Sequence, residues 1–256
     1  MASSALRILV TNDDGINAPG LKVLEKIARA LSDDVWVVAP EYEQSGASHS
    51  LTLVEPLRLR RISKRRFAVG GTPTDCVVMA VNQIVEGRKP DLVLSGVNRG
   101  ANLAEDVTYS GTIAAAMEGT LLGIPSIAMS QVYQRPEPIH WSTAEAHGPK
   151  VVRKLRKIGW PSDVLINVNY PPVLARDVKG VVATVQGRRD VGKIQIHERE
   201  DPRGGNYYWL GFRRQVGKPG ESTDLGAMVR SQISVTPLKM DFTHGATRKA
   251  LQAAFK

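Results

Sequence analysis

Short apolar runs alternate with helical patterns over most of this chain, and this alternation constrains the fold most strongly. The runs have the length of buried parallel strands and span residues 7–11, 35–39, 91–95, 126–130 and 164–168. Apolar residues at helical spacing lie between them, at residues 19–31, 72–85, 110–122 and 143–158. We therefore expect an α/β fold with an open, mostly parallel sheet and helices on both faces.

Two stretches depart from this pattern. Residues 51–61 and 67–69 are expected to form an antiparallel insertion. Residues 187–232 are richer in Gly, Arg and aromatic residues, which predicts a protruding hairpin or arm. A chain of 256 residues is compatible with one α/β domain. We expect a core over about 1–185, the arm over about 187–232, and a terminal strand and helix over about 233–256.

Composition and charge exclude several classes of protein. The hydrophobic share is 42% and the charged share 23%, which argues against disorder and coiled coil. The net charge of +9 comes from the second half, because residues 1–130 carry 13 basic and 14 acidic side chains and the remainder 21 and 11. No aromatic residues are interleaved with the basic ones to stack bases, so we do not expect nucleic-acid binding.

The cellular setting follows from what the sequence does not contain. No apolar run approaches the roughly 18 residues of a membrane span, and no signal peptide is recognised. The single cysteine, Cys76, lies in a helical apolar pattern and is expected to be a small buried hydrophobe. These features predict a soluble cytoplasmic protein without a membrane partner.

Polar, Gly-bearing loops follow the predicted strands, at the sheet edge where α/β proteins bind ligands. Asp13 and Asp14 follow the first strand, Ser45 lies after the second, and Asn98 after the third. An isolated Asp-Asp-Gly is often only a turn. Two adjacent carboxylates, however, repel each other unless a cation neutralises them. Oxygen ligands without His or Cys favour Mg²⁺ or Mn²⁺, so we expect one divalent cation at Asp13, Asp14, Ser45 and Asn98.

A second group of residues is suited to an anion. Ser110, Gly111 and Thr112 begin a helix of small residues, and the free amides of a helix N-terminus bind phosphate. Beside a divalent cation, they would hold the other oxygens of a phosphate, and Asn102 is a candidate for the same group. Thr72 is expected to be a structural helix cap, and His49 a surface residue near the Ser45 loop. The sequence lacks a P-loop, a nucleophile elbow and a zinc-protease motif.

These loops resemble the SurE family, the metal-dependent nucleoside-monophosphate phosphatases known as stationary-phase survival proteins. The resemblance rests on LVTNDDG at 9–15, SGAS at 45–48, GTPTDC at 71–76, SGVN at 95–98, YSGT at 109–112 and SVTPL at 234–238. Any one of these motifs is weak evidence, but their order and spacing are specific. In this chain Ala101 and Ala104 stand where the family pattern has proline and glycine, which removes no ligand.

The resemblance implies a Rossmann-like core and a C-terminal extension exchanged between subunits in homodimers or homotetramers. It implies that Asp13, Asp14, Ser45 and Asn98 bind the metal, and that residues 110–112 bind phosphate. The implied activity is hydrolysis of nucleoside 5′- and 3′-monophosphates, with short polyphosphate as a further substrate.

Several alternatives stay open at the level of sequence. The nucleophile is either water or one of the two aspartates, Asp13 and Asp14, and we expect water because both carboxylates are assigned to metal. Two rival functions are a nucleotide-sensing protein without turnover and a metal-dependent nucleotide-sugar transferase. The transferase needs an acceptor domain for which 256 residues leave little room.

Overall fold

The computed structural model describes residues 5–134, 136–189, 194–212 and 218–255. The strands in these ranges are β1 Arg7–Thr11, β2 Asp34–Pro40, β3 Leu59–Ser63, β4 Arg66–Val69, β5 Leu92–Arg99, β6 Ser126–Gln131, β7 Val164–Tyr170, β8 Val181–Ala183, β9 Ile194–Glu200, β10 Asn206–Phe212 and β11 Ile233–Lys239. The α-helices are α1 Pro19–Arg29, α2 Pro73–Met79, α3 Gly111–Leu121, α4 Trp141–Ile158, α5 Asp224–Val229 and α6 Gly245–Ala254.

Nine of the described strands form one sheet in the order β3-β4-β2-β1-β5-β6-β7-β11-β8. The central strands from β2 to β7 pair in parallel, whereas β3 with β4 and β7 with β11 pair antiparallel. The chain proceeds outward from β1 through β2 and then returns to β5 on the other side of β1. The predicted α/β class is therefore confirmed, and the point of reversal lies between β1 and β5.

Alternate residues of β1 face two different helical layers. Ile8 and Val10 belong to a cluster with Leu21 and Leu24 of α1, whereas Leu9 belongs to a cluster with α2 on the opposite face. All three β1 side chains are completely buried. A strand covered on both faces has to be apolar throughout, which explains the continuous run in the sequence.

The start of α2 confirms Thr72 as a structural cap. The Thr72 hydroxyl accepts a hydrogen bond from the Asp75 amide, and the Asp75 carboxylate accepts one from the Thr72 amide. This reciprocal pair satisfies two amides at the helix start. Cys76 follows in the buried face of α2, where burial raises the pKa of its thiol well above the ordinary value.

Several boundaries differ from those predicted, and β5 extends to Arg99 instead of ending at residue 95. The insertion is antiparallel only over β3 and β4, and residues 51–58 form no strand. Leu53 and Val54 in that segment are almost fully exposed, so burial does not favour a strand there. The helix predicted to reach residue 85 changes after Met79 into a wider π-helical turn, Ala80–Ile84.

The predicted arm contains a separate two-stranded antiparallel sheet, formed by β9 and β10. Within the same predicted range, α5 returns to the main sheet and packs against β11, with Ala227 fully buried. The Asp224 carboxylate accepts hydrogen bonds from the amides of Ala104 and Gly187 at 2.8 Å each. Arg213 and Arg214, which contribute to the basic second half, lie outside the described residues. No helix in the described ranges has the length and apolar character needed to cross a membrane.

Candidate metal and phosphate site

Asp13 lies just beyond the end of β1, at the point where strand order reverses. Its side chain is 4% exposed, and its Oδ1 accepts a 2.5 Å hydrogen bond from the Thr112 hydroxyl. Gly111 permits this approach, because a Cβ there would lie 2.8 Å from the Cβ of Asp13. The predicted metal ligand and the predicted phosphate-binding helix are therefore in direct contact.

Burial dominates the electrostatics of Asp13. Loss of solvent raises its pKa, the neighbouring charge of Asp14 raises it further, and the Thr112 hydrogen bond lowers it, with a net value of about 6. Desolvation therefore raises the pKa of Asp13 more than repulsion from the adjacent Asp14 does. A nearby cation would favour the ionised form of Asp13.

Asp14 is only partly buried and faces a different set of groups. Its Oδ2 accepts a 3.1 Å hydrogen bond from the Arg99 amide at the end of β5. Desolvation raises the pKa of Asp14, the Arg99 amide lowers it, the Glu43 carboxylate raises it and the Arg99 charge lowers it, with a net rise. Asp14 therefore joins β1 to β5 and stands beside a third carboxylate.

Ser45 lies on an exposed loop that is fastened to the rest of the site. The amide of Gln44 donates to the Asp13 carbonyl at 2.8 Å. Ser48 donates from its hydroxyl to the Thr108 carbonyl at 2.8 Å. Ser45 itself donates to Glu43 at 2.8 Å, which leaves the lone pairs of its oxygen available to a cation.

Asn98 is positioned by an irregularity in β5. The pairing of β5 with β6 shifts register between Ser95 and Asn98. Gly96 in the shifted segment has φ +128°, and a Cβ there would lie 2.1 Å from the Met129 carbonyl oxygen. Asn98 donates from Nδ2 to the Gly100 carbonyl at 3.1 Å, so its Oδ1 is the atom that remains for a cation.

The N-terminus of α3 is capped from within. The Ser110 oxygen accepts a 3.1 Å hydrogen bond from the Ile113 amide, so the same oxygen is committed to the helix cap. Ser110, Gly111 and Thr112 are all buried. The hydroxyl hydrogen of Ser110 is its remaining donor.

Asn102 belongs to a buried polar network. Its side chain donates to the Ser130 hydroxyl at 2.8 Å, and its carbonyl accepts from Asn167 at 2.8 Å and Asn169 at 3.1 Å. These bonds hold the loop after β5 against β6 and β7. His49, expected at the surface, is partly buried and pairs with Glu118 of α3 at 3.0 Å.

Two residues near the site were not singled out in the sequence. Glu43 contacts Ser45 and raises the pKa of Asp14, and Arg99 contributes both its amide and its charge to Asp14. Both lie in the polar loops that the sequence did identify. The signal that could have found them is their position in the sequence, since Glu43 lies two residues before Ser45 and Arg99 directly follows Asn98.

The chemistry of the predicted ligand set fits a hard divalent cation. Carboxylate, hydroxyl and amide oxygens are ligands of the type that Mg²⁺ and Mn²⁺ accept. The buried Oδ1 of Asn12, next to Asp13, has no hydrogen-bond partner among the described residues. No group of three or more His, Cys, Asp or Glu residues in the described ranges is arranged to hold a metal. The four predicted ligands do not form a group of that kind, because only Asp13 and Asp14 are acidic and the other two are serine and asparagine.

The sheet brings paired carboxylates and a helix N-terminus together at its switch point, which is where open α/β proteins bind their ligands. Comparison with known proteins identifies the family of this chain. The family model described as "Survival protein SurE" matches residues 8–193. The chain belongs to the SurE family.

Curated relatives match almost the whole chain. The "5′-nucleotidase SurE" of Paramagnetospirillum magneticum is 60% identical over 252 residues, covering 98% of this chain and 96% of the relative. The "5′-nucleotidase SurE" of Parvibaculum lavamentivorans is 58% identical over 254 residues, covering 98% and 92%. The crystal structure of the SurE protein from Aquifex aeolicus aligns with a TM-score of 0.83 at 38% identity, covering 98% of this chain and 100% of that one.

Proposed function

We propose that this chain is a metal-dependent 5′-nucleotidase, which hydrolyses nucleoside 5′-monophosphates to nucleoside and inorganic phosphate. The contact between Thr112 and Asp13 carries the proposal, because it joins an acidic cation site to the amide end of a helix. The names of the relatives in Paramagnetospirillum and Parvibaculum support the same activity.

The proposed ligands of one Mg²⁺ or Mn²⁺ per subunit are Asp13, Asp14, Ser45 and Asn98. When bound, the ion neutralises phosphate oxygens and lowers the pKa of water at the site. Thr112 holds Asp13 in place, and the Arg99 amide holds Asp14. The start of α3, at Ser110 to Thr112, would hold the phosphate, and Asn102 is proposed to contact the same group.

Hydrolysis breaks the P–O bond to the ribose and forms a P–O bond from water. One water proton ends on the ribose oxygen and the other is released or retained by phosphate. We propose water as the nucleophile, because both aspartates are engaged as ligands. Trapping a phosphoaspartate by rapid quench would contradict this choice.

The range of substrates is proposed to extend beyond 5′-monophosphates. The resemblance to the SurE family supports 3′-monophosphates and short polyphosphate as further substrates. A panel of these compounds, assayed for phosphate release with Mg²⁺ and with Mn²⁺, ranks them. Tight metal-dependent AMP binding without phosphate release would instead favour the nucleotide-sensing function.

We also propose a cytoplasmic homodimer or homotetramer in which the C-terminal extension is exchanged between subunits. Trp209 and Leu210 on β10 are 65% and 70% exposed, and Leu251 on α6 and Phe255 just after it are also exposed. Such apolar surfaces are typical of subunit contacts. Light scattering of the full-length protein distinguishes monomer, dimer and tetramer, and a monomer at micromolar concentration would contradict the proposal.

A further inference from the structure

Arg99 ends β5, immediately beside the proposed metal ligand Asn98. Its backbone amide donates to Asp14 at 3.1 Å. The residue is exposed at the end of β5, on the same sheet edge as Asp14 and Asn98. The backbone amide of Arg99 therefore contacts Asp14, whereas its side chain is exposed to solvent.

Tyr133 holds the guanidinium without neutralising it. The central guanidinium carbon of Arg99 lies 6.0 Å from the centre of the Tyr133 ring. The Gly100 amide donates to the Gln131 carbonyl at 3.1 Å, and this bond brings the loop against the segment that carries Tyr133. A ring face attracts the cation but accepts none of the in-plane N–H donors, which stay available to a planar or tetrahedral oxyanion.

Arg99 differs from three arginines of the described ranges that are paired with carboxylates. Arg7, Arg66 and Arg189 each form an ion pair with a carboxylate at 2.6 to 2.8 Å. Arg99 forms no ion pair within 4.0 Å in the described ranges, even though Asp14 lies beside its own amide. Its charge is therefore not consumed by the protein.

The charge balance of the site calls for such a group. Asp13, Asp14 and Glu43 contribute three negative charges, of which a divalent cation neutralises two. A phosphate monoester brings about two more negative charges near neutral pH. One additional positive charge beside the cation reduces the resulting repulsion. Arginine is suited to this position because its N–H donors match phosphate oxygens two at a time.

We propose that Arg99, oriented by Tyr133, binds the phosphate group of the substrate and of the product. This inference rests on the proposed phosphatase function for its role in turnover. It does not rest on it for binding, because inorganic phosphate alone is a sufficient probe. Substitution by alanine keeps the backbone amide that contacts Asp14 and removes only the side chain.

Calorimetric titration of the full-length protein tests the proposal with two probes, Mn²⁺ alone and inorganic phosphate at saturating Mn²⁺. For Arg99→Ala we expect the Kd of phosphate to rise roughly 10- to 100-fold, as for loss of a charge-assisted contact, with the Kd of Mn²⁺ within about twofold of wild type. Arg99→Lys should recover part of the phosphate affinity, because it restores the charge but not the paired donors.

Arg156→Ala is the matched control. Arg156 is exposed in the last turn of α4, and its charge acts on Asp91, which precedes β5 at the opposite edge of the sheet. The control removes the same charge and should leave both dissociation constants within about twofold. A phosphate Kd in Arg99→Ala that matches wild type would overturn the proposal. So would an equal rise in the Kd of Mn²⁺, or an equal effect of Arg156→Ala.

Two further measurements separate this proposal from its alternatives. Weaker binding of adenosine, with unchanged binding of phosphate, would assign Arg99 to the nucleobase and overturn the phosphate role. If wild-type protein binds phosphate through Arg99 but releases none from any nucleotide, the phosphatase function fails and the Arg99 assignment stands. If wild-type protein hydrolyses AMP, Arg99→Ala should raise KM for AMP at least about tenfold.

Discussion

The Thr112 hydroxyl donates a 2.5 Å hydrogen bond to Oδ1 of Asp13, across 99 residues of chain. Thr112 belongs to the first turn of α3 and Asp13 follows β1, so this bond fixes the helix start against the carboxylate. Both side chains are almost fully buried, where a hydrogen bond to a charged group counts for more than at the surface. The proposed cation and phosphate sites therefore share one wall.

Removing the Thr112 hydroxyl should weaken metal binding. In Thr112→Val, Asp13 loses the bond that lowers its pKa, so its carboxylate becomes harder to ionise and less firmly placed. A hydrogen bond to a charged group contributes about 1.5 to 3 kcal/mol, so we expect the Kd of Mn²⁺ to rise roughly 10- to 100-fold. Thr112→Ser, which keeps the hydroxyl, should restore most of the affinity. Equal affinities for valine and threonine, measured by calorimetry, would show that the bond does not position the ligand.

Gly111 is expected to tolerate no side chain. A Cβ at this position would lie 2.8 Å from the Cβ of Asp13 and 3.1 Å from its Oδ2. We expect Gly111→Ala to lower phosphate release roughly 5- to 150-fold, since a displaced group of this kind typically costs about 1 to 3 kcal/mol. Gly245→Ala is the control, because a Cβ there meets nothing within 4 Å. Comparable rates of phosphate release for the two variants would show that the start of α3 does not contribute to catalysis.

The stability of the metal-free protein should depend on Asp13. Its pKa is about 6 in the folded protein, against 3.8 for an ordinary aspartate. The folded state therefore keeps a proton that the unfolded state has lost, and stability falls as pH rises from about 4 to 6. Above pH 6 the penalty is about 3 kcal/mol at most, at roughly 1.4 kcal/mol per pH unit.

Asp13→Asn should remove this penalty. In urea unfolding with chelator present, we expect Asp13→Asn to be more stable than wild type at pH 7.5 and similar to it at pH 4. The variant should also lose the stabilisation that Mn²⁺ gives to wild type. A pH-independent difference between the two proteins would mean that Asp13 does not titrate as an isolated buried acid.

Asp34 provides the opposite case, away from the site. Partial burial raises its pKa, but hydrogen bonds and charges from Arg7, the Trp36 indole and Arg65 lower it more, and the net pKa is below 3.8. The stability that this carboxylate contributes is present above pH 3.8 and is lost as pH falls through its folded pKa. Asp34→Asn should therefore destabilise at pH 7 by about 1 to 2 kcal/mol, allowing for partial screening. The difference should shrink below pH 4, and a constant difference in chemical denaturation would contradict this account.

Much of the fold could be predicted because burial on both faces leaves a simple pattern. β1 was predicted over the same residues that the structure shows, since Ile8, Leu9 and Val10 are all enclosed. The segment 51–58 misled the prediction because its apolar residues Leu51, Leu53 and Val54 are exposed. An apolar pattern predicts a strand only if something covers it, and one chain does not reveal its covering partner.

The site residues were predictable to the extent that loops after parallel strands meet at one edge. Asp13, Asp14, Asn98 and Thr112 are predictable as neighbours in this way, because each lies just beyond the carboxyl end of a predicted strand or at the helix start that follows one. The sequence does not show that the Arg99 amide contacts Asp14, or that the Glu43 carboxylate adds a third negative charge beside Asp14. It also could not foresee that Asn102 would donate to Ser130, because that bond depends on packing between β5, β6 and β7. The metal and phosphate roles of these residues stay predictions.

Phosphate release from AMP tests the central claim most directly. Purified full-length protein should release phosphate from AMP with Mg²⁺ or Mn²⁺, and both chelator and Asp13→Asn should abolish turnover. The Asp13→Asn protein should remain folded, because the substitution is nearly isosteric and Thr112 can still donate to the amide oxygen. Absence of turnover from folded wild-type protein with either metal would contradict the nucleotidase assignment. Turnover that survives both chelator and Asp13→Asn would contradict the proposed metal site.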